Sequence, residues 1–429
     1  MRPHTHIGLL TATSLVVANM IGTGVFTSLG FQLAGIDNGY TIVLLWLAGG
    51  LFSLCGAMVY GEMGAAFPRN GGEYHFLTRL IHPFVGFLGG WVSATVGFAA
   101  PVALAASLMG GYASRIVEGL NEQVAAILVV LLISLIHLRG VHTGSRFQNV
   151  FTIGKVLLML LFVVAGFFSE ETFTWAFSKG FESITGDLGS QAFITSLFFV
   201  SYSYCGWNAS AYMAGQIDRP EKNLHRSLIF GTLIVTLLYV LINICFLKNA
   251  PLEEMQGIKE VAYAPARHIF GAVGASFISG CIILFLISSI SSMVMTGPRV
   301  TEAMGNDIKE LRLFSRNNSK QTPVAAILLQ AGISVALILS GSFEQVLTYL
   351  GFTLNLFTLL TVGGYSYYRF RKGPCKTYAT PFFPLMSGLF MLYGGWILVF
   401  GLIRAPFESI AGLLTLVAGG IFYFFSSSK

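Results

Sequence analysis

Three stretches of the chain carry residue types that an apolar run does not ordinarily hold. Lys155 stands inside Phe151-Thr152-Ile153-Gly154-Lys155-Val156-Leu157-Leu158-Met159, about eight residues, or roughly 12 Å of helix, from the end of its hydrophobic stretch. A cation at that depth in hydrocarbon costs at least about 3 kcal/mol without partners. It must therefore either meet carbonyl and hydroxyl oxygens or snorkel back to the aqueous edge. A second stretch, Asn19-Met20-Ile21-Gly22-Thr23-Gly24-Val25-Phe26, places two glycines within three residues in the middle of another run. Each weakens a helix by about 1 kcal/mol relative to alanine. The segment reads as unwound backbone with polar groups to offer, or as a point where two helices pack closely. The third, Ser201-Tyr202-Ser203-Tyr204-Cys205-Gly206-Trp207-Asn208, mixes polar, aromatic and small side chains at the middle of a third run. A lipid-facing helix would not favour that mixture.

The elements that position these groups are set by composition. Of 429 residues, 54% are hydrophobic and only 10% are charged, against roughly 25% charged in a soluble domain. Forty-nine glycines suit helix interfaces in lipid, which are built from small residues. A soluble enzyme, a disordered chain and a single-anchor receptor are excluded. The reading is an all-α polytopic membrane protein forming one transmembrane domain over 1–429. A bilayer core needs roughly 20 apolar residues per helix. Twelve runs qualify, at 7–34, 41–67, 84–114, 123–138, 147–168, 191–216, 225–248, 271–300, 323–341, 344–368, 381–403 and 406–425. They do not alternate as barrel strands do.

With the N-terminus placed in the cytoplasm, eighteen Lys and Arg fall on the inner side, Arg2, Arg146, Lys320 and Lys429 among them, and six on the outer. The positive-inside rule therefore predicts that both termini are cytoplasmic. The net charge of +6 is topology information and membrane-lipid attraction rather than a nucleic-acid footprint. None of Cys55, Cys205, Cys245, Cys281 and Cys375 falls in an outer loop, so no disulfide framework is expected. Glu62 reads as a group ordering the inner end of the second run. His137 and His142, beside an inner loop, read as solvated.

The interrupted runs are the first and the sixth, which hold the same place in two sets of five: 7–168 and 191–371, followed by two further helices at 381–425. Interruptions at matching positions point to the binding site of an inverted-repeat transporter.

The motifs resemble those of amino acid permeases of the amino acid–polyamine–organocation (APC) superfamily, and most of all the L-type amino acid transporter branch and its bacterial relatives. Four stretches carry the likeness: Asn19 to Phe26; Tyr60-Gly61-Glu62-Met63 with Phe67-Pro68-Arg69-Asn70-Gly71-Gly72-Glu73-Tyr74; Gly206-Trp207-Asn208 with Pro220-Glu221-Lys222-Asn223-Leu224; and Ser288-Ser289-Ile290-Ser291-Ser292 with Gly297-Pro298-Arg299. The resemblance implies a LeuT-type fold of inverted five-helix repeats with helices 1 and 6 broken. It implies alternating access of a small amino acid to a central site, with no catalytic residue, metal or cofactor.

By that resemblance the N–H groups of Thr23, Gly24 and Val25 hold the substrate carboxylate, and a helix N-terminus suits an anion. Carbonyls at Met20, Ile21, Tyr202 and Ser203 accept from its ammonium. Gly22 and Gly206 let backbone approach the ligand, and Cys205 narrows the pocket. Tyr202 becomes the outer gate, unless it is simply an interface aromatic, and Trp207 and Asn208 support the restart of the helix. Lys155 stands where sodium-coupled relatives hold a cation, bonded to carbonyls near Gly22 and to Ser288 or Ser289, which implies sodium-independent transport. Whether Lys155 also releases a proton stays open. Eukaryotic L-type members join a heavy chain through a cysteine in the loop between helices 3 and 4. Ser114 to Glu122 has none, so no disulfide-linked heavy chain is expected, and a bacterial inner membrane fits.

Neutral L-amino acids are the expected cargo, by exchange or proton-linked uptake. Cationic amino acids or polyamines are the alternative, disfavoured because runs 3, 6, 8 and 10 lack an interior acid. A non-transporting amino acid sensor is a remoter alternative. A membrane enzyme lacks its His-Glu-x-x-His helix and aspartate pair.

Overall fold

The computed structural model describes residues 7–139, 142–170, 172–318 and 322–427, without the side chains of 142–148 and 427. Arg2, Lys320 and Lys429 from the charge count lie outside the described residues, as do the side chains of Arg146 and His142. Helices dominate, and the only strand-like pairs among the described residues are two isolated bridges, Ile7 with Ile217 and Asn317 with Pro323.

All twelve runs form helices. Among the described residues nine are long and apolar enough to cross a membrane: span 1 (Leu9–Gln32), span 2 (Gly39–Ala66), span 3 (Pro83–Ser114), span 5 (His142–Phe167, crossing with 149–167), span 7 (Pro220–Asn249), span 8 (Tyr263–Asp307), span 10 (Phe343–Lys372), span 11 (Leu385–Arg404) and span 12 (Pro406–Ser427). Spans 4 (Glu122–Leu138) and 9 (Val324–Ser340) are shorter apolar helices. Span 6 is split into Gln191–Ser203 and a 3₁₀ segment Ala209–Gln216. Span 8 begins before its expected start at 271 because a turn at Gly271 (φ 70°) joins it to a preceding helical piece.

The polar caps fall where the chain leaves lipid. Asn38 accepts from Tyr40 N ahead of span 2, Asn121 accepts from Gln123 N and Val124 N ahead of span 4, and Ser342 with Gln345 closes a capping box on span 10. Small residues let the inner helices touch. A side chain at Gly50 would run into Thr236 of span 7, and one at Gly64 into Leu224. Large apolar side chains remain exposed on span 5 (Leu157, Leu161, Val164) and span 12 (Leu414, Ile421, Phe424), as faces turned toward lipid require.

The ion pairs join groups at matching ends of the helices. Lys179–Asp37, Lys259–Glu122 and Arg115–Glu260 lie among the loops that follow odd-numbered spans, and Arg69–Asp307 and Arg369–Glu62 lie near the ends of even-numbered spans. Glu62 orders the inner end of span 2, as its position suggests. It accepts from Arg369 and from the backbone N–H groups of Cys375 (3.0 Å) and Thr380 (2.8 Å). His137 corrects the sequence reading: it is buried rather than solvated, with Nε2 2.8 Å from Ser291 Oγ on span 8.

Candidate functional site

Span 1 leaves its helix at Ile21 (ψ 82°) and restarts at Gly24 with Thr23 as the capping residue. The first backbone rung of the restart runs from Phe26 N to Thr23 O, 3.0 Å. The N–H groups of Thr23, Gly24 and Val25 therefore precede the ladder, at the positive end of the short helix. The two glycines play different parts. A Cβ on Gly22 would meet only Met20 O, at an ordinary 3.9 Å, whereas one on Gly24 would come 2.4 Å from Ser203 Cα. Unwinding and close packing, alternatives on sequence grounds, both occur.

Span 6 breaks over 204–208. Gly206 takes φ +98°, and a Cβ there would lie 2.8 Å from the Asn19 carbonyl carbon, so sterics and dihedral both demand glycine. The two breaks thus press on each other and enclose a cavity of ≈ 110 Å³. Of the expected substrate residues, Met20, Gly22, Thr23, Gly24, Tyr202, Ser203, Cys205 and Gly206 line it, and Ile21 and Val25 do not. Tyr202 is buried, with its hydroxyl 2.5 Å from Thr23 Oγ1, which ties the two broken spans together. Ser203 Oγ reaches Ser28 Oγ at 2.7 Å.

Lys155 is fully buried, which rules out snorkelling. Its Nζ donates to Ile21 O (3.0 Å) and to Ser289 Oγ (2.6 Å), and Ser289 in turn donates to Ile21 O (2.8 Å). The carbonyl offered by the break in span 1 is therefore engaged by the built-in cation. Of the two serines, Ser289 makes the contact, and the Ser288 hydroxyl is buried without a hydrogen-bond partner among the described residues.

Three further features shape the site. Tyr239 of span 7 places its hydroxyl 2.5 Å from Met20 O and 3.1 Å from Ser203 O, so a single phenolic proton stands between the two unwound segments. In an apolar run it looks like any packed aromatic. Ser93–Gly97 in span 3 forms a π-helical turn, with Ser93 and Gly97 on the cavity wall; such turns are frequent at functional sites. Glu73, on the short helix Glu73–Leu80 between spans 2 and 3, is buried and also lines the cavity. Its Oε1 accepts from Tyr60 O–H (2.8 Å) and from Asn208 Nδ2 (2.7 Å). Trp207 stacks edge-on against Tyr60. Asn208 and Trp207 thus support the restart of span 6 as expected, through a carboxylate that the sequence places in a loop motif.

The family model described as Amino acid permease matches residues 7–424. The Serine/threonine exchanger SteT of Bacillus subtilis is 28% identical over 90% of this chain and 90% of its own length. The Large neutral amino acids transporter small subunit 2 of Homo sapiens is 25% identical over 97% of this chain and 79% of its own. The b(0,+)-type amino acid transporter 1 of Mus musculus is 26% identical over 97% and 87%.

Proposed function

The chain belongs to the amino acid permease family, and on that premise we propose that it is a sodium-independent secondary transporter of neutral L-amino acids. The observation that carries this reading is the cavity shared by the broken middles of spans 1 and 6. The amino acid carboxylate docks on the N–H groups of Thr23, Gly24 and Val25. Its ammonium docks on carbonyls of Met20, Tyr202 and Ser203; Met20 O, which now accepts from Gly22 N (2.8 Å) and from Tyr239 O–H, exchanges one of those donors for it. Tyr202 closes the outer side. The units 7–168 and 191–371 act as the two repeats, with 381–425 as added helices. Exchange is supported by the likeness to the serine/threonine exchanger, and a cationic cargo by the likeness to the b(0,+)-type transporter. The multi-pass chain resides in a cell membrane, bacterial by its likeness to SteT. Both termini are cytoplasmic, supported by the eighteen-to-six distribution of Lys and Arg. It works without a disulfide-linked heavy chain, since the loop Ser114 to Glu122 lacks a cysteine.

Lys155 supplies a fixed positive charge on Ile21 O and Ser289 Oγ, where an exchangeable cation would otherwise be needed. Purified protein in liposomes tests the reading. Labelled serine, alanine or leucine should accumulate when unlabelled amino acid is inside, at equal rates in sodium and in choline. A strict sodium requirement would sink the built-in cation, and binding without flux would favour a sensor.

A further inference from the structure

The polar core holds a buried acid that the transport reading leaves unused. Glu73 is 2% exposed. Its Oε1 takes two donors, Tyr60 from span 2 and Asn208 from the restart of span 6. Its Oε2 is buried beside the cavity and makes no hydrogen bond of good geometry among the described residues, while the Tyr212 side chain lies against the carboxyl and favours its charged form. The titratable groups on the surrounding elements are Tyr60 on span 2, Tyr212 on span 6, Tyr74 and His75 on its own helix, Asp307 at the end of span 8 and Arg369 on span 10. The last two are engaged elsewhere, Asp307 with Arg69 and Tyr74 O–H, and Arg369 with Glu62. Spans 3 and 10 face the chamber with Ser93 and Phe357. No cation contacts Glu73 among the described residues. A bare carboxylate in such a place is costly, and the remedy is a positive charge on Oε2, of which a proton is the smallest.

We propose that Glu73 is a proton-binding site of the transport cavity, and that protonation of Oε2 loosens the tie between span 2 and the inner half of span 6. The inference rests on the transport reading for its functional consequence. Ionised, Oε1 accepts two charge-assisted bonds, which are about twice as strong as neutral ones. A proton arriving from cavity water forms the Oε2–H bond and cancels the charge. Oε1 becomes an ordinary carbonyl oxygen, and the hold on Asn208 and Tyr60 weakens. Burial also pushes the Glu73 carboxyl above its ordinary range, so the proton is held at milder acidity than on a solvated glutamate. In this role Glu73 acts by positioning Asn208.

The test pairs two readouts in wild type and Glu73→Gln, which keeps an acceptor oxygen but cannot titrate. In liposomes, counterflow of labelled amino acid is followed over a series of internal pH. Wild-type rate should change several-fold and the variant's, normalised to its own maximum, should stay flat. In detergent, without any flux, tryptophan emission is titrated, since Trp207 lies 4.8 Å from Tyr60. Wild type should titrate and the variant should lose that step. A Glu73→Gln profile that superimposes on wild type in both readouts overturns the proposal. So does arginine competition present in wild type and absent in the variant, which would assign the carboxylate to cargo. A fluorescence step without flux of any amino acid would sink transport and leave the proton site standing.

Discussion

Two buried charges flank the cavity, and they are solvated in opposite ways. Lys155 is held by a carbonyl and a hydroxyl that also bond each other, a closed triangle with Ile21 at its apex. Glu73 takes its two close donors on a single oxygen, with Tyr212 beside the carboxyl. The first arrangement suits a charge that stays through the cycle, and the second a charge that comes and goes. The contrast also matches their partners. Lys155 grips the unwound backbone of span 1, whereas Glu73 grips a side chain of span 6.

The contrast breaks most decisively at the lysine. Lys155→Ala removes two bonds to a charged group, worth about 1.5–3 kcal/mol each. Liposome flux should fall by roughly two orders of magnitude, while the protein still purifies as a monodisperse species. Retention of near-normal flux would end the fixed-charge idea. Gly206→Ala should come next, because it strains φ +98° and drives a methyl into the Asn19 carbonyl; melting temperature and flux should both drop clearly. A smaller effect separates neighbouring serines. Ser289→Ala should cut flux about tenfold through loss of one charge-assisted bond, and Ser288→Ala should change it by less than about twofold, since no partner is lost. Equal losses at both positions would undo the assignment. The smallest signal is a stability difference at Glu73. Its folded carboxyl is shifted upward by burial. Between the ordinary glutamate value and that raised value the folded state keeps a proton that the unfolded chain has released, so stability falls as pH rises through the window. Thermal melts of wild type should lose ground against Glu73→Gln on going from mildly acidic to neutral pH, and parallel melts would contradict the burial cost.

Much of the architecture was legible because lipid imposes it. Twelve apolar runs, two of them interrupted at matching places, are forced by length and by the need to satisfy backbone groups. Lys155 stood out because a cation amid Ile153, Val156 and Leu157 must either find partners or snorkel. Glu73 did not, because Arg69-Asn70-Gly71-Gly72-Glu73 lies outside every apolar run. In the fold it is buried, with the Tyr212 ring filling the space beside Gly72. The argument against a cationic cargo from acid-free spans was therefore incomplete, since the acid enters from between spans. Tyr239 and the π-helical turn at Ser93 were hidden for another reason: their roles depend on where a hydroxyl points and on one extra residue per turn, neither of which alters hydrophobic periodicity. His137 was misread through its nearness to a charged loop, although its ring faces Ser291.

The contact between Gly24 and Ser203 has a mechanical meaning. Where a side chain on one broken span should be, there is already the backbone of the other. Not even a methyl fits between them, so the two broken spans meet backbone to backbone, and Gly24→Ala would have to force them apart.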